Sequence, residues 1–248
     1  MKKQCSLSIL TGLFVLFTAS SAWAVGIGAY IDAAGGEGYR KVKSRSLEDS
    51  GGTATNYGFR AGLVFDTCVA CDSAVSYRMK LGGGLFRNDL LTKSNFNSLH
   101  WSNTLAFALV KNDYVKFWLG PQIGFQYYRG NGDRLFIGTE NPNAVLFLSG
   151  TAPDWFYQGI FKERNRYSIF GADAGLAFGV NINLGDYVSL LFDAGVTYGY
   201  RMGTQKREVI AAIIPYMPFN KFNDRITEHG IEGYASVGLM FRFVDTYQ

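Results

Sequence analysis

Eight stretches of the chain alternate between apolar and polar or small residues, near 25–33, 56–66, 73–86, 98–111, 114–129, 168–183, 187–201 and 230–243. A period of two is the signature of a β-strand with two unlike faces. In the second stretch Tyr57, Phe59, Ala61, Leu63 and Phe65 share one face, and Gly58, Arg60, Gly62 and Val64 share the other. In the fourth, Leu99, Trp101, Leu105, Phe107 and Leu109 oppose His100, Ser102, Thr104 and Ala106. The seventh sets Val188, Leu190, Phe192, Ala194, Val196 and Tyr198 against Ser189, Asp193, Thr197 and Arg201.

The placing of charge separates two kinds of β protein. Through the middles of all eight stretches one face carries no charge. The other carries Asp32, Arg60, Arg78, Lys80, Lys116, Asp173, Asp193, Glu232 and Arg242. A water-soluble sandwich puts charge outside around a dry core. Here glycines and small residues lie with the charges, as a narrow lumen requires, and bulky apolar residues lie opposite, as lipid requires. Stretches of about 10 residues suit tilted strands crossing a bilayer. The pattern predicts an all-β fold, a transmembrane antiparallel up-and-down barrel of eight strands. A ten-stranded barrel, with an extra hairpin from 130–167, is the lesser alternative.

The connections alternate long (34–55), short (67–72), medium (87–97), very short (112–113), long (130–167), short (184–186) and long (202–229). Outer-membrane barrels have short periplasmic turns and longer external loops, so both termini are expected in the periplasm. On that placing Tyr57, Trp101, Tyr127, Tyr198 and Tyr200 form an external aromatic girdle, and Phe65, Phe117, Phe241 and Phe243 a periplasmic one.

The amino end fits export. Lys2 and Lys3 precede a short apolar run from Ile9 to Phe17, and Ala22-Trp23-Ala24 has the form of a signal-peptidase site. The expectation is a cleaved signal over 1–24 and a single barrel domain over 25–248. Removing Lys2 and Lys3 lowers the formal charge from +4 to +2, too little to suggest nucleic acid. Gly is plentiful at 30 and Pro scarce at 5, as strands joined by tight turns would have it.

The chain resembles the eight-stranded outer-membrane proteins of the OmpA-barrel, OmpX and OmpW kind. The resemblance rests on the signal, the strand pattern, the loop alternation and the closing stretch Gly238 to Phe243, which is similar to the aromatic-ended signal such proteins show to the barrel-assembly machinery. Val244 to Gln248 follow here, whereas the family usually ends on the aromatic. The resemblance implies outer-membrane lipid and lipopolysaccharide as surroundings, and periplasmic chaperones and the assembly machinery as partners during biogenesis.

The mixed lumenal charges predict a salt-bridge network that fills the barrel, because an eight-stranded interior is just wide enough for side chains. A narrow polar path is the alternative. The stretch His100-Trp101-Ser102-Asn103 resembles the motif of outer-membrane lipid A deacylases, which would make His100 and Ser102 a hydrolytic pair. It lies in the fourth strand, theirs near the carboxyl end, and its face is the predicted lumen, so no enzyme is expected. Cys68 and Cys71 in the first periplasmic turn predict a small disulfide in an oxidising compartment. His229, the other histidine, is far from His100 in sequence, and neither metal nor cofactor is expected. The loop 202–229 holds an apolar patch of Ile210, Ile213, Ile214, Tyr216, Met217 and Phe219. The expected function is a largely plugged barrel with a structural or surface-interaction role through its external loops, meeting an external ligand or cell surface. The alternative is a passage or binding mouth for small, hydrophobic molecules.

Overall fold

The computed structural model describes residues 25–43, 50–69, 73–88, 94–137, 160–211 and 218–243. They form eight strands: β1 (Val25–Lys43), β2 (Ser50–Asp66), β3 (Val75–Asn88), β4 (Ser94–Lys111), β5 (Val115–Ile137), β6 (Ile160–Asn183), β7 (Val188–Ala211) and β8 (Pro218–Phe243). Each pairs antiparallel with the next, and β8 returns to pair with β1, so the sheet is closed. Closure leaves no unpaired edge. No helix occurs among the described residues. The eight strands expected from the alternation are those observed, and the ring closes without a fifth hairpin.

One end, here the near end, holds Val25, Phe243 and the three tight turns. Asn112 makes its turn by accepting hydrogen bonds from the amides of Tyr114 and Val115, at 2.9 and 2.7 Å. Gly185 makes the last with φ at 115°, a conformation that disfavours any side chain.

Partners followed once around the ring from Lys43 run through Arg225, Thr204, Ser168, Arg129, Asn97, Leu85 and Phe59, and return to β1 at Ala33. The ten-residue displacement on β1 is the shear of the barrel. With eight strands it tilts each by about 40° to the axis.

The strands are longer than the alternation predicted. At the near end predicted and observed boundaries agree within about two residues. At the far end β1 runs on to Lys43 and β2 starts at Ser50, within the predicted loop 34–55. Likewise β5 to β8 reach Ile137, Ile160, Ala211 and Pro218, inside the predicted loops 130–167 and 202–229. The reason is a change of pattern. On these extensions, and at the residues that adjoin them, the outward positions become mostly polar, as at Arg129, Asn131, Arg166, Thr204 and Arg225, although Tyr39 and Met202 stay outward, while Tyr167, Ile169 and Ile226 turn inward. The apolar-out rule that marked the strands stops, but the backbone ladder does not.

Candidate functional site

Inside the barrel, alternate residues of every strand meet across a narrow space. All nine charged residues expected on the lumenal face are buried there: Asp32, Arg60, Arg78, Lys80, Lys116, Asp173, Asp193, Glu232 and Arg242. They do not form one network.

Near the turns, Arg78 is the hub. From β3 its Nε and Nη2 donate to one oxygen of Asp66 on β2, at 2.9 and 2.7 Å, and its Nη1 donates across the lumen to Asp193 on β7 at 2.6 Å. Its Nη2 also reaches Asn181 on β6 at 2.8 Å. Lys80 meets the second oxygen of Asp193 at 2.7 Å and donates to Ser236 at 3.0 Å. The Arg78 guanidinium lies 4.5 Å from the centre of the Trp118 ring, and Lys80 lies 5.0 Å from that of Tyr30. Trp118 fits because Gly179 is bare: a Cβ there would stand 2.5 Å from the indole.

Half-way up, Arg60 on β2 donates to Asp32 on β1 at 2.8 Å and to Glu232 on β8 at 3.0 Å. Arg201 on β7 binds the other oxygen of Glu232, and binds Glu228 at 2.7 Å. Arg40 on β1 meets the second oxygen of Glu228. Asp173 joins through Gln126, whose amide donates to it at 2.9 Å and to Glu232 at 3.3 Å. Carrying an ion out of water costs several kcal/mol, and such charges persist only where partners and hydrogen bonds offset that cost.

Lys116 and Arg242 stand apart from both networks. Lys116 donates to the Cys68 carbonyl at 2.6 Å and to Ser76 at 3.3 Å, while Asn181 reaches the Val69 carbonyl at 3.4 Å. These contacts draw the first turn into the barrel mouth, where Val69 packs with Tyr30, Val64, Leu191 and Met240. Arg242 is buried at the near end, and its Nε and Nη2 have no hydrogen-bond partner among the described residues. Cys68 is held in a disulfide. Its expected partner, Cys71, lies outside the described residues.

Above the second network an apolar layer crosses the lumen, made of Ala34, Phe86, Phe96, Tyr128, Tyr167, Ile169 and Ile226. Between this layer and the charges is a cavity of about 20 Å3, lined on one side by Phe86, Phe96, Tyr128 and Ile169 and on the other by Arg40, Asn56, Arg201 and Glu228. That is room for about one water molecule.

His100 and Ser102 also face this interior, 4% and 3% exposed. The His100 Nδ1 has no hydrogen-bond partner among the described residues. The pair is therefore walled off from the barrel's outer surface, where a lipid substrate would lie.

Four charged residues join the networks beside the expected nine: Arg201, which the alternation already sets on the face of Asp193, and Arg40, Asp66 and Glu228. Arg40 and Glu228 fall in 34–55 and 202–229, where loops are expected, and Asp66 is the last residue of the stretch 56–66. The signal was parity: each stands an even number of residues from an expected member of its own strand, Asp32, Glu232, Arg60 and Asp193.

The outer surface is the converse. Ile31, Phe59, Leu63, Leu81, Leu105, Ile123, Leu176, Val196, Val237 and Leu239 are exposed. Eight of the nine expected girdle residues are exposed at its borders: Tyr57, Trp101, Tyr127, Tyr198 and Tyr200 toward the far end, and Phe117, Phe241 and Phe243 toward the near end. Phe65 is half-buried. Phe117 and Tyr127 are ten residues apart on β5. At about 3.3 Å per residue and a tilt of about 40°, that is about 25 Å along the axis, the height of a bilayer's apolar band.

Among solved structures, the outer-membrane protein OprG of Pseudomonas aeruginosa is similar over 92% of this chain and 99% of its own, with a TM-score of 0.53 at 11% identity. The chain has the fold of the outer-membrane β-barrels. Neisserial surface protein A covers 87% of this chain and 97% of its own at 15% identity with a TM-score of 0.35. The outer-membrane protease OmpT of Escherichia coli covers 91% and 99% at 7% identity with a TM-score of 0.33. No protein-family model and no curated protein matches the sequence. At such identities the likeness bears on the fold alone.

Of the apolar patch expected in 202–229, Ile210 belongs to β7 and Phe219 to β8, so both continue strands rather than sit in a loop. Ile213, Ile214, Tyr216 and Met217 lie outside the described residues.

Proposed function

We propose that this chain is an exported outer-membrane barrel with a closed lumen, acting through what its far end presents to the outside. Residues 1–24 are the cleaved signal, the near end with both termini is periplasmic, and the far end is extracellular. Chaperones and the barrel-assembly machinery deliver it to the outer membrane, and its outer half sits among lipopolysaccharide. The proposal gives His100 and Ser102, the pair that resembles a hydrolytic motif, no catalytic part, since both face the lumen.

One observation carries the closed lumen. Arg78 reaches from β3 to Asp193 on β7, across the barrel, and the Arg60, Glu232 and Arg201 chain closes a second level above it. An ion on its way through would have to break paired, desolvated charges at both. The test is single-channel conductance of the refolded protein in planar bilayers, wild type beside Arg78→Ala. The reading predicts no steady openings in the wild type. Steady wild-type conductance altered by Arg78→Ala would replace it with a pathway.

A second reading, a small binding mouth for hydrophobic molecules, has the upper cavity in its favour. Its walls are aromatic and its floor is charged, the mixture found in small-molecule sites. At about 20 Å3 it admits a ligand only if Phe86 or Phe96 moves. Saturable binding of a small aromatic compound, abolished by filling the cavity with Ile169→Trp, would favour that reading.

A further inference from the structure

The stretch His100-Trp101-Ser102-Asn103 turns His100 and Ser102 into the lumen and Trp101 and Asn103 outward. Asn103 breaks the rule of its face. The outward row of β4 runs Leu99, Trp101, Asn103, Leu105, Phe107 and Leu109. Asn103 stands opposite Met79 on β3 and Ile123 on β5. Among the described residues, no other outward position between the girdles carries a polar side chain, Tyr77 apart.

Its depth follows from the register. One circuit of the ring descends ten residues toward the near end, so each step from β5 to β4 descends about 3 Å at a tilt of about 40°. Ile123 lies four residues below the girdle residue Tyr127 and six above Phe117. Asn103 therefore lies about 13 Å below Tyr127 and about 12 Å above Phe117, at the middle of the apolar band.

An asparagine amide has two donor hydrogens and an oxygen that accepts two hydrogen bonds. The Tyr77 hydroxyl donates to its Oδ1. Among the described residues the amide nitrogen has no acceptor. Hydrocarbon offers none, and a polar group left unsatisfied there is costly. A second departure adjoins it. The β4–β5 ladder steps from Thr104–Gln122 to Phe107–Leu119, omitting two pairs, and Pro121, which has no amide hydrogen, stands in the gap. Both departures fall on one spot of an otherwise regular outer face.

We infer that two copies of this chain associate in the membrane along β3 to β5, with Asn103 facing Asn103 across a two-fold axis along the membrane normal. Two copies inserted the same way bring that amide to one depth, and an amide complements itself. Each nitrogen donates to the Oδ1 of the other copy, which keeps the Tyr77 hydroxyl as its second donor. Lipid tails are as apolar as the barrel's outer face, so apolar contact alone does not drive the pairing, and the amides do. The inference rests on the outer-membrane reading, which sets Asn103 in lipid, and goes beyond it to a partner.

The test is energy transfer between copies of the full chain labelled at Asp113→Cys, in the exposed turn 112–113, refolded into phosphatidylcholine vesicles and diluted with lipid. Wild type is expected to show transfer above that of randomly spread copies and to lose it on dilution. Asn103→Leu should fold as well as wild type, by the heat-modifiable gel shift, and weaken association by about fivefold or more, the scale of a hydrogen bond between membrane segments. Asn103→Gln, which keeps an amide, should recover part of that loss. Wild type mixed with Asn103→Leu should associate no more tightly than the variant with itself, since a lone amide has no mate. Wild-type transfer no greater than random, or Asn103→Leu associating as tightly as wild type, would overturn the inference. Failure of the wild type to insert into the vesicles would overturn the outer-membrane reading beneath it, and is read separately by the gel shift.

Discussion

Between Ile231 and Phe243, β8 turns Ile231, Val237, Leu239 and Phe241 outward and Glu232, Ser236 and Arg242 inward. Between Asn223 and Glu228 the same strand turns Asn223 and Arg225 outward, and Ile226 goes inside with Asp224 and Glu228. The other long strands make the same change: β5 passes from Phe125 and Tyr127 to Arg129 and Asn131 outward, and β6 from Phe178 and Phe170 to Ser168 and Arg166. The backbone is one continuous ladder; the solvent it faces is not. Beside lipid, a closed sheet puts its apolar residues outside and must satisfy its charges within. Beyond the girdle the outside is wet, and the inside can hold an apolar layer as a soluble barrel would. The lesson is that the sign of the alternation reports what surrounds a strand, and its period reports the strand itself.

Three sets of substitutions probe this contrast, ordered by the largest effect in each. The largest is Arg78→Ala, which leaves Asp66 and Asp193 buried without their shared partner. Breaking a buried ion pair from one side costs about 3–5 kcal/mol. A urea titration of folding into vesicles, followed by the heat-modifiable gel shift, should read it; a loss below about 1 kcal/mol would mean that water reaches these charges. Next is the outward face of β8 at two heights. Val237→Arg should cost about 2–4 kcal/mol, the penalty for a cation facing the bilayer's middle. Arg225→Val, on the same face above the girdle, should change stability by less than about 0.5 kcal/mol. Equal effects at the two positions would erase the boundary between the regions. Last is Gly179→Ala, which pushes a methyl against the Trp118 ring and the Asp193 carboxylate. Overpacking of this kind costs about 1–3 kcal/mol. The same change at Gly199, where the nearest side-chain atom would be 3.4 Å from the new Cβ, should cost less.

The fold was legible in the sequence because lipid imposes a strong rule over the middle of every strand. Phe59 beside Arg60, or Phe192 beside Asp193, can be explained only by a face in oil and a face within. The lumenal residues followed from parity alone, since a strand leaves no freedom over which side each enters. Pairing did not follow. That Arg78 meets Asp193 rather than Glu232 depends on the shear, which no single strand's sequence contains. Arg40 and Glu228 were missed for the reason the strand ends were: beyond the girdle the outward residues are polar too, and the contrast between faces fades. Tyr167, on the parity of Asp173, and Phe96, on the parity of His100 and Ser102, carried the remaining signal as bulky residues on the inward face.

The most direct test of the account is the depth of two positions on β8. Single cysteines in place of Val237 and Arg225 would carry nitroxide labels in protein refolded into vesicles, Cys68 being held in its disulfide. Collision rates with oxygen, which concentrates in lipid, and with a water-soluble nickel complex would then be compared. The account predicts that the label at 237 meets oxygen and that the label at 225 meets nickel. Two labels that both meet nickel would mean that the apolar outer face does not lie in a membrane, and would contradict it.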